Sequence, residues 1–144
     1  MKKILVSVDL SDLAAQAINQ AITLAAAFKS RILVLHVEVP TPSYIGNELG
    51  PPVVPIESDD DFERVQRDLQ GMVNHIRQKG IEADYELAKG PVIETIIEKS
   101  KDLDVDLIIL GAHNHGFLYR AFIGSICSGV IKHSHIPVMV VPGK

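Results

Sequence analysis

Tryptophan is absent from this 144-residue chain, cysteine occurs once, and aromatic side chains make up only 5% of it. Each shortage closes off a class of function. So few aromatics leave no platform on which single-stranded bases could stack. Basic residues are outnumbered, 14 against 18 acidic ones for a net charge of −4, and no cluster of them draws a basic stripe. Nucleic acid is therefore not an expected partner. With Cys127 alone, no intrachain disulfide can form, and a reducing compartment is the natural home. No apolar run approaches the ~20 residues of a membrane span. The apolar stretch after Met1-Lys2-Lys3 is too short for a secretion signal and ends in Asp9. A cytosolic protein without membrane insertion is expected.

Catalytic signatures are missing as well. No glycine loop ends in Gly-Lys-Ser/Thr, and no G-x-S-x-G elbow or convincing triad is present. Two His-x-His pairs, His113/His115 and His133/His135, lack a companion cysteine or acidic cluster. A helix of about ten residues, ~15 Å, separates them, so they read as polar loop and cap residues.

What the chain does have is apolar content, 47%, enough to bury one core within a single domain spanning 1–144. Five short runs rich in Val, Ile and Leu read as strands: Ile4–Val8, Ile32–Val37, Ala83–Leu87, Asp106–Leu110 and Ile136–Val141. Four are nearly continuous, as for strands covered on both faces. Ala83–Leu87 alternates, as for a sheet edge.

Helical spacing fills the gaps. Leu13, Ala17, Leu24 and Phe28 trace a stripe between Ser11 and Lys29, with Ser11 or Asp12 as N-cap. Phe62, Val65, Leu69, Met72, Val73 and Ile76 trace a second, closed by Gly80. Pro91–Lys101 and Gly124–His133 complete the set. The alternation predicts an α/β fold, a single doubly wound, Rossmann-like, five-stranded parallel sheet with helices on both faces. Pro40–Asp61 interrupts it with five of the eight prolines and the acidic run Asp59-Asp60-Asp61. A connection that long is usually functional or mobile.

In such sheets ligands bind beyond the carboxyl ends of the strands, where strand order reverses. The first strand ends in "VSVDLSD", bringing Asp9 and Ser11 to its tip, and the fourth leads into "GAHNHGFLYRAFIGS", residues 111 to 125. Gly111 lets the chain turn off the strand, and Gly124 with Ser125 opens a helix whose first N–H groups form an anion site. Asp9 suits a ribose hydroxyl or a Mg²⁺ ion at phosphates. His113 is placed to contact phosphate too.

These features resemble the universal stress protein family over essentially the whole chain. The opening "ILVSVDLSD", "LHV" at Leu35-His36-Val37, "KGPVIETII" at Lys89–Ile97 and the closing "HSHIPVMVV" carry the resemblance. The family's nucleotide-binding members have glycine, two residues, glycine, nine residues, then glycine followed by Ser or Thr. Here the first, third and hydroxyl positions fall on Gly111, Gly124 and Ser125, but the middle one falls on Asn114, and Gly116 lies two residues late. Asparagine is the most tolerant replacement for a left-handed glycine, and its amide can donate to phosphate.

The resemblance implies strand order 3-2-1-4-5 and a homodimer formed through the last strand, Ile136–Val141. It also implies ATP held by Asp9, Val37 near the adenine, Gly90 as a backbone wall, Gly111, Gly124 and Ser125; the carboxylate of Asp9 by its own chemistry suits a Mg²⁺ or Mn²⁺ ion accompanying the triphosphate. AMP and ADP stay open as ligands, since nothing reads the γ-phosphate. The expected role is a dimeric stress-response sensor or regulator. Two alternatives remain: a dimerisation module that has lost the nucleotide, and a slow ATPase or autokinase.

Overall fold

The computed structural model describes residues 1–40, 59–112 and 124–143. Strands and helices alternate through them: β1 (Lys3–Ser7), α1 (Leu13–Phe28), β2 (Arg31–Glu38), α2 (Asp59–Gln78), β3 (Ala83–Lys89), α3 (Val92–Asp102), β4 (Leu107–Ala112), α4 (Ser125–His133) and β5 (Val138–Pro142). The strands pair in parallel in one sheet of order β3-β2-β1-β4-β5, the expected order, so strand order reverses between β1 and β4. The alternating Ala83–Lys89 strand is indeed an edge.

Side-chain alternation along the central strands splits the core into two layers. Ile4 and Val6 of β1, Ile32 and Val34 of β2 and Ile109 of β4 pack with α1 and α2. Leu5, Leu35, Ile108 and Leu110 pack with Ile96 of α3 and with Cys127 and Val130 of α4. Strands covered on both faces explain why these runs are almost wholly apolar.

Three expectations need correcting. The stripe of α1 is rotated from the one predicted: Ala14, Ala17, Ile18, Ala21 and Ala25 are buried, while Phe28 is 54% exposed. Small side chains bring this helix close to the sheet, and the larger Leu13 and Leu24 fall to its flanks. Phe62 at the start of α2 is also exposed. The acidic run Asp59-Asp60-Asp61 belongs to the first turn of α2 rather than to the preceding connection. Acidic residues favour that end of a helix because its dipole is positive there. Of the predicted interruption, residues 41–58 lie outside the described residues.

Gly80 follows α2 at φ 78, the left-handed cap expected of it. Two polar links fasten the sheet. The Asp106 carboxylate accepts the backbone N–H groups of Lys3 at 2.9 Å and Lys2 at 2.6 Å, and these bonds hold its pKa below the usual aspartate value. On the edge strand β3, Glu86 pairs with Lys99 of α3, and that hydrogen bond raises the lysine pKa.

Candidate functional site

Beyond β1 the chain turns through Val8-Asp9-Leu10-Ser11 into α1. Leu10 adopts φ 63, a left-handed conformation that costs a residue with a Cβ about 1–2 kcal/mol. The Asp9 carboxylate holds the turn closed: its Oδ1 accepts the Ser11 backbone N–H at 3.0 Å and the Ser11 hydroxyl at 2.5 Å. This is an Asx turn, in which an aspartate side chain stands in for a backbone acceptor. It fixes where the carboxylate sits at the sheet's carboxyl end. Asp12 occupies the N-cap position but makes no side-chain capping bond.

Gly111 has a different reason from the one predicted. It lies inside β4, which runs on to Ala112, so the chain does not turn there. A Cβ on Gly111 would stand 3.4 Å from that of Leu13, so glycine lets β4 approach the first turn of α1. Gly124, immediately before α4, adopts φ 39 and ψ 153, a conformation that side chains resist, although a Cβ would meet nothing within 4 Å. Within α4 the N–H of Ser128 bonds to the carbonyl of Gly124 at 3.1 Å. The N–H groups of Ser125, Ile126 and Cys127 precede the first position that can bond within the helix.

These segments enclose a cavity of about 530 Å³ at the carboxyl ends of β1, β2 and β4. Such a volume falls in the ~300–1,000 Å³ range of small-molecule sites. Five predicted residues line it together: Asp9, Val37, Gly111, Gly124 and Ser125. Apolar groups from α1 (Leu13, Ala14, Ala17) and from Val8, Val92 and Leu110 form most of the remaining wall. The cavity thus joins an apolar wall to one carboxylate and one helix N-terminus. That donor set fits a ligand with an apolar ring at one end and an anionic group at the other.

Ser11 and Gly90 do not join the lining. Ser11 acts on Asp9, as described. Gly90 adopts φ 145 between β3 and α3, donates its N–H to Glu38 at 3.0 Å, and would bring a Cβ within 2.9 Å of Thr95 Oγ1. His113, Asn114 and Gly116, along with His115, lie outside the described residues. At the other pair, His133 Nδ1 donates to the Gly129 carbonyl at 2.9 Å and His135 is exposed. Among the described residues no three His, Cys, Asp or Glu side chains gather as a metal cluster. None of the described helices is long and apolar enough to cross a membrane.

The lining residues that escaped the sequence reading include two whose side chains bond to the site's own backbone. His36 of β2 lines the cavity and donates from Nδ1 to the Val8 carbonyl at 2.8 Å, bracing the turn that carries Asp9. No periodicity marks it, because the bond depends on the β1–β2 pairing. Cys127 lines the floor, 4% exposed, with its thiol 3.7 Å from the Gly111 carbonyl, and burial pushes its pKa up. A buried thiol of raised pKa is a poor nucleophile. Folded protein is therefore expected to react with iodoacetamide at neutral pH at least about tenfold more slowly than protein unfolded in guanidinium. Equal rates, read by mass spectrometry of the Cys127 peptide, would refute this packing.

Residues 1–142 match the model of the "Universal stress protein family". The Synechocystis sp. universal stress protein Sll1388 is 29% identical over 149 residues, covering 96% of both chains. The solved universal stress protein UspA from Lactobacillus plantarum superposes with a TM-score of 0.77 at 25% identity, covering 97% of each chain. At 22% identity the likeness is one of fold alone to the universal stress protein from Archaeoglobus fulgidus in complex with dAMP, with a TM-score of 0.70 over 97% of each chain. With the match running almost from end to end and the five-stranded order in place, the chain belongs to the universal stress protein family.

Proposed function

We propose that this chain binds an adenine nucleotide, ATP by preference, in the cavity between β1, β2 and β4, and acts as a dimeric regulator or sensor rather than a fast enzyme. One observation carries the reading: Asp9, Val37 and the N-terminus of α4 line a single cavity at the point where strand order reverses. In this arrangement the base rests near Val37 and the apolar wall, and Asp9 accepts from the ribose hydroxyls or binds a metal ion. The N–H groups of α4's first turn take the phosphates, with the Ser125 hydroxyl beside them. A dAMP-bound fold relative supports the choice of an adenine nucleotide. Mg²⁺ or Mn²⁺, if carried with the triphosphate, would be held by Asp9 and would offset phosphate charge.

The energetics are adequate. A helix terminus contributes ~0.3–1 kcal/mol and each charge-assisted hydrogen bond ~1.5–3 kcal/mol. Three or four such contacts approach the ~8 kcal/mol of a micromolar complex. Self-association through β5 rests on its place at the sheet edge and on its run of half-buried Val138, Met139, Val140 and Val141. An edge of that kind favours pairing with a second copy.

Calorimetry of purified protein with Mg²⁺ and ATP tests the reading. Saturable binding in the micromolar range is expected, with one nucleotide per chain and ADP and AMP weaker. No heat and no nucleotide released by acid from freshly purified protein would overturn it.

A further inference from the structure

At the opposite, amino-terminal end of the sheet lies a second concavity of about 500 Å³, where the ends of α1 and α2 meet the starts of β2 and β3. Four cationic residues line it, Lys2, Lys29, Arg31 and Lys79, against one acid, Glu82. The chain as a whole is acidic, at −4, so this concentration runs against its average. Arg31 is already matched, at 3.7 Å from Glu82 and 3.4 Å from Asp84. The ammonium groups of Lys29 and Lys79 have no ion-pair partner among the described residues, and the carboxylate acting on Lys2 is Asp106.

Helix ends account for part of this charge. Lys29 caps α1 and Lys79 follows α2, where each helix terminus presents about −0.5 of a charge. Two termini offset about one of the three lysine charges. Charging all of Asp106 against Lys2 removes another, although its carboxylate also accepts the Lys2 and Lys3 amides. About one to two positive charges remain, facing a cavity large enough for a small ligand.

We infer that this concavity binds a phosphate group, as free phosphate or as the phosphomonoester of a small molecule. Three ammonium donors on separate segments suit an ion of about −1.5 to −2 charge with several acceptor oxygens. The site is independent of the nucleotide cavity, since the two share no lining residue.

The test is a titration of ¹⁵N-labelled protein with inorganic phosphate at fixed chloride, following backbone amide shifts. Saturating shifts are expected at Ser30, Arg31 and Gly80. Affinity should fall at least about tenfold in Lys29→Glu/Lys79→Glu, fall less in Lys29→Gln/Lys79→Gln, and stay unchanged in Asp9→Ala. Lys29 and Lys79 are both exposed, so the variants are expected to fold, and their spectra show whether they do. Shifts confined to Gly124–Cys127, shifts that never saturate, or equal affinity in the charge-reversed variant would each overturn the proposal. Repeating the titration with methyl phosphate separates the sources: tighter binding favours a phosphomonoester, and weaker binding favours the free ion.

Discussion

Asp9→Ala is expected to weaken ATP binding by about 10- to 100-fold, the equivalent of one charge-assisted hydrogen bond of ~1.5–3 kcal/mol. The loss has two parts that can be separated. The first is the ligand contact itself. The second is the Asx turn: without the carboxylate, the Ser11 amide and hydroxyl lose their acceptor, and Leu10 at φ 63 loses what holds it in a costly conformation. Ser11→Ala removes only the hydroxyl, at 2.5 Å from Asp9 Oδ1, and leaves the carboxylate in place. It should weaken binding by a smaller factor, roughly three- to tenfold. Calorimetry on the two variants beside the unaltered protein reads the order directly. If Asp9→Ala binds ATP as tightly as the parent, the nucleotide lies elsewhere. If Ser11→Ala is the more damaging, the hydroxyl contacts the ligand itself, and its role as Asp9's partner is secondary.

The parts of this fold legible in the sequence were those governed by local chemistry. Four strands were legible as near-continuous apolar runs, because covered parallel strands leave little polar face to confuse the pattern, and the edge strand β3 by its alternation. Gly80 read correctly as a helix end because a left-handed cap is a property of a few adjacent residues. Asp9, Gly124 and Ser125 could be placed at strand and helix tips by counting, and strand order came from the family pattern rather than from periodicity.

What could not be read depended on contacts between distant segments. The buried face of α1 is set by how closely its alanines meet the sheet, so the stripe read from helical spacing took in Phe28 and missed Ala21 and Ala25. Leu10 carries no sign of its left-handed backbone, which comes from the Asp9–Ser11 bond and the docking of α1. The reason for Gly111 appears only when Leu13 is seen 3.4 Å from its missing Cβ. His36 is another such case, visible only once β1 and β2 are paired. The cavity is therefore assembled by tertiary contacts around a few positions whose chemistry was readable in advance.

The position of the α4 N-terminus depends on one such contact. Gly129 of α4 packs on Ile93 of α3, and a Cβ there would stand 2.3 Å from Ile93 Cδ1, 3.0 Å from Cγ1 and 3.4 Å from Cγ2. Rotating the tip of Ile93 clears only the first of these. Gly129→Val should therefore destabilise the fold by about 1–3 kcal/mol through overpacking, against a gain of only a few tenths from helix propensity. In a chain of this size that lowers the melting temperature by about 2–4 °C per kcal/mol. The helix can relieve the overlap by moving away from α3. That movement displaces the Ser125–Cys127 N–H groups, so ATP affinity should fall alongside stability. Ile93→Ala leaves a cavity in the parent but makes room for the added valine methyls. The double variant should thus be more stable than the sum of the single effects by about 1 kcal/mol or more. Strictly additive effects in thermal melts would mean that the α3–α4 spacing is not set by this contact.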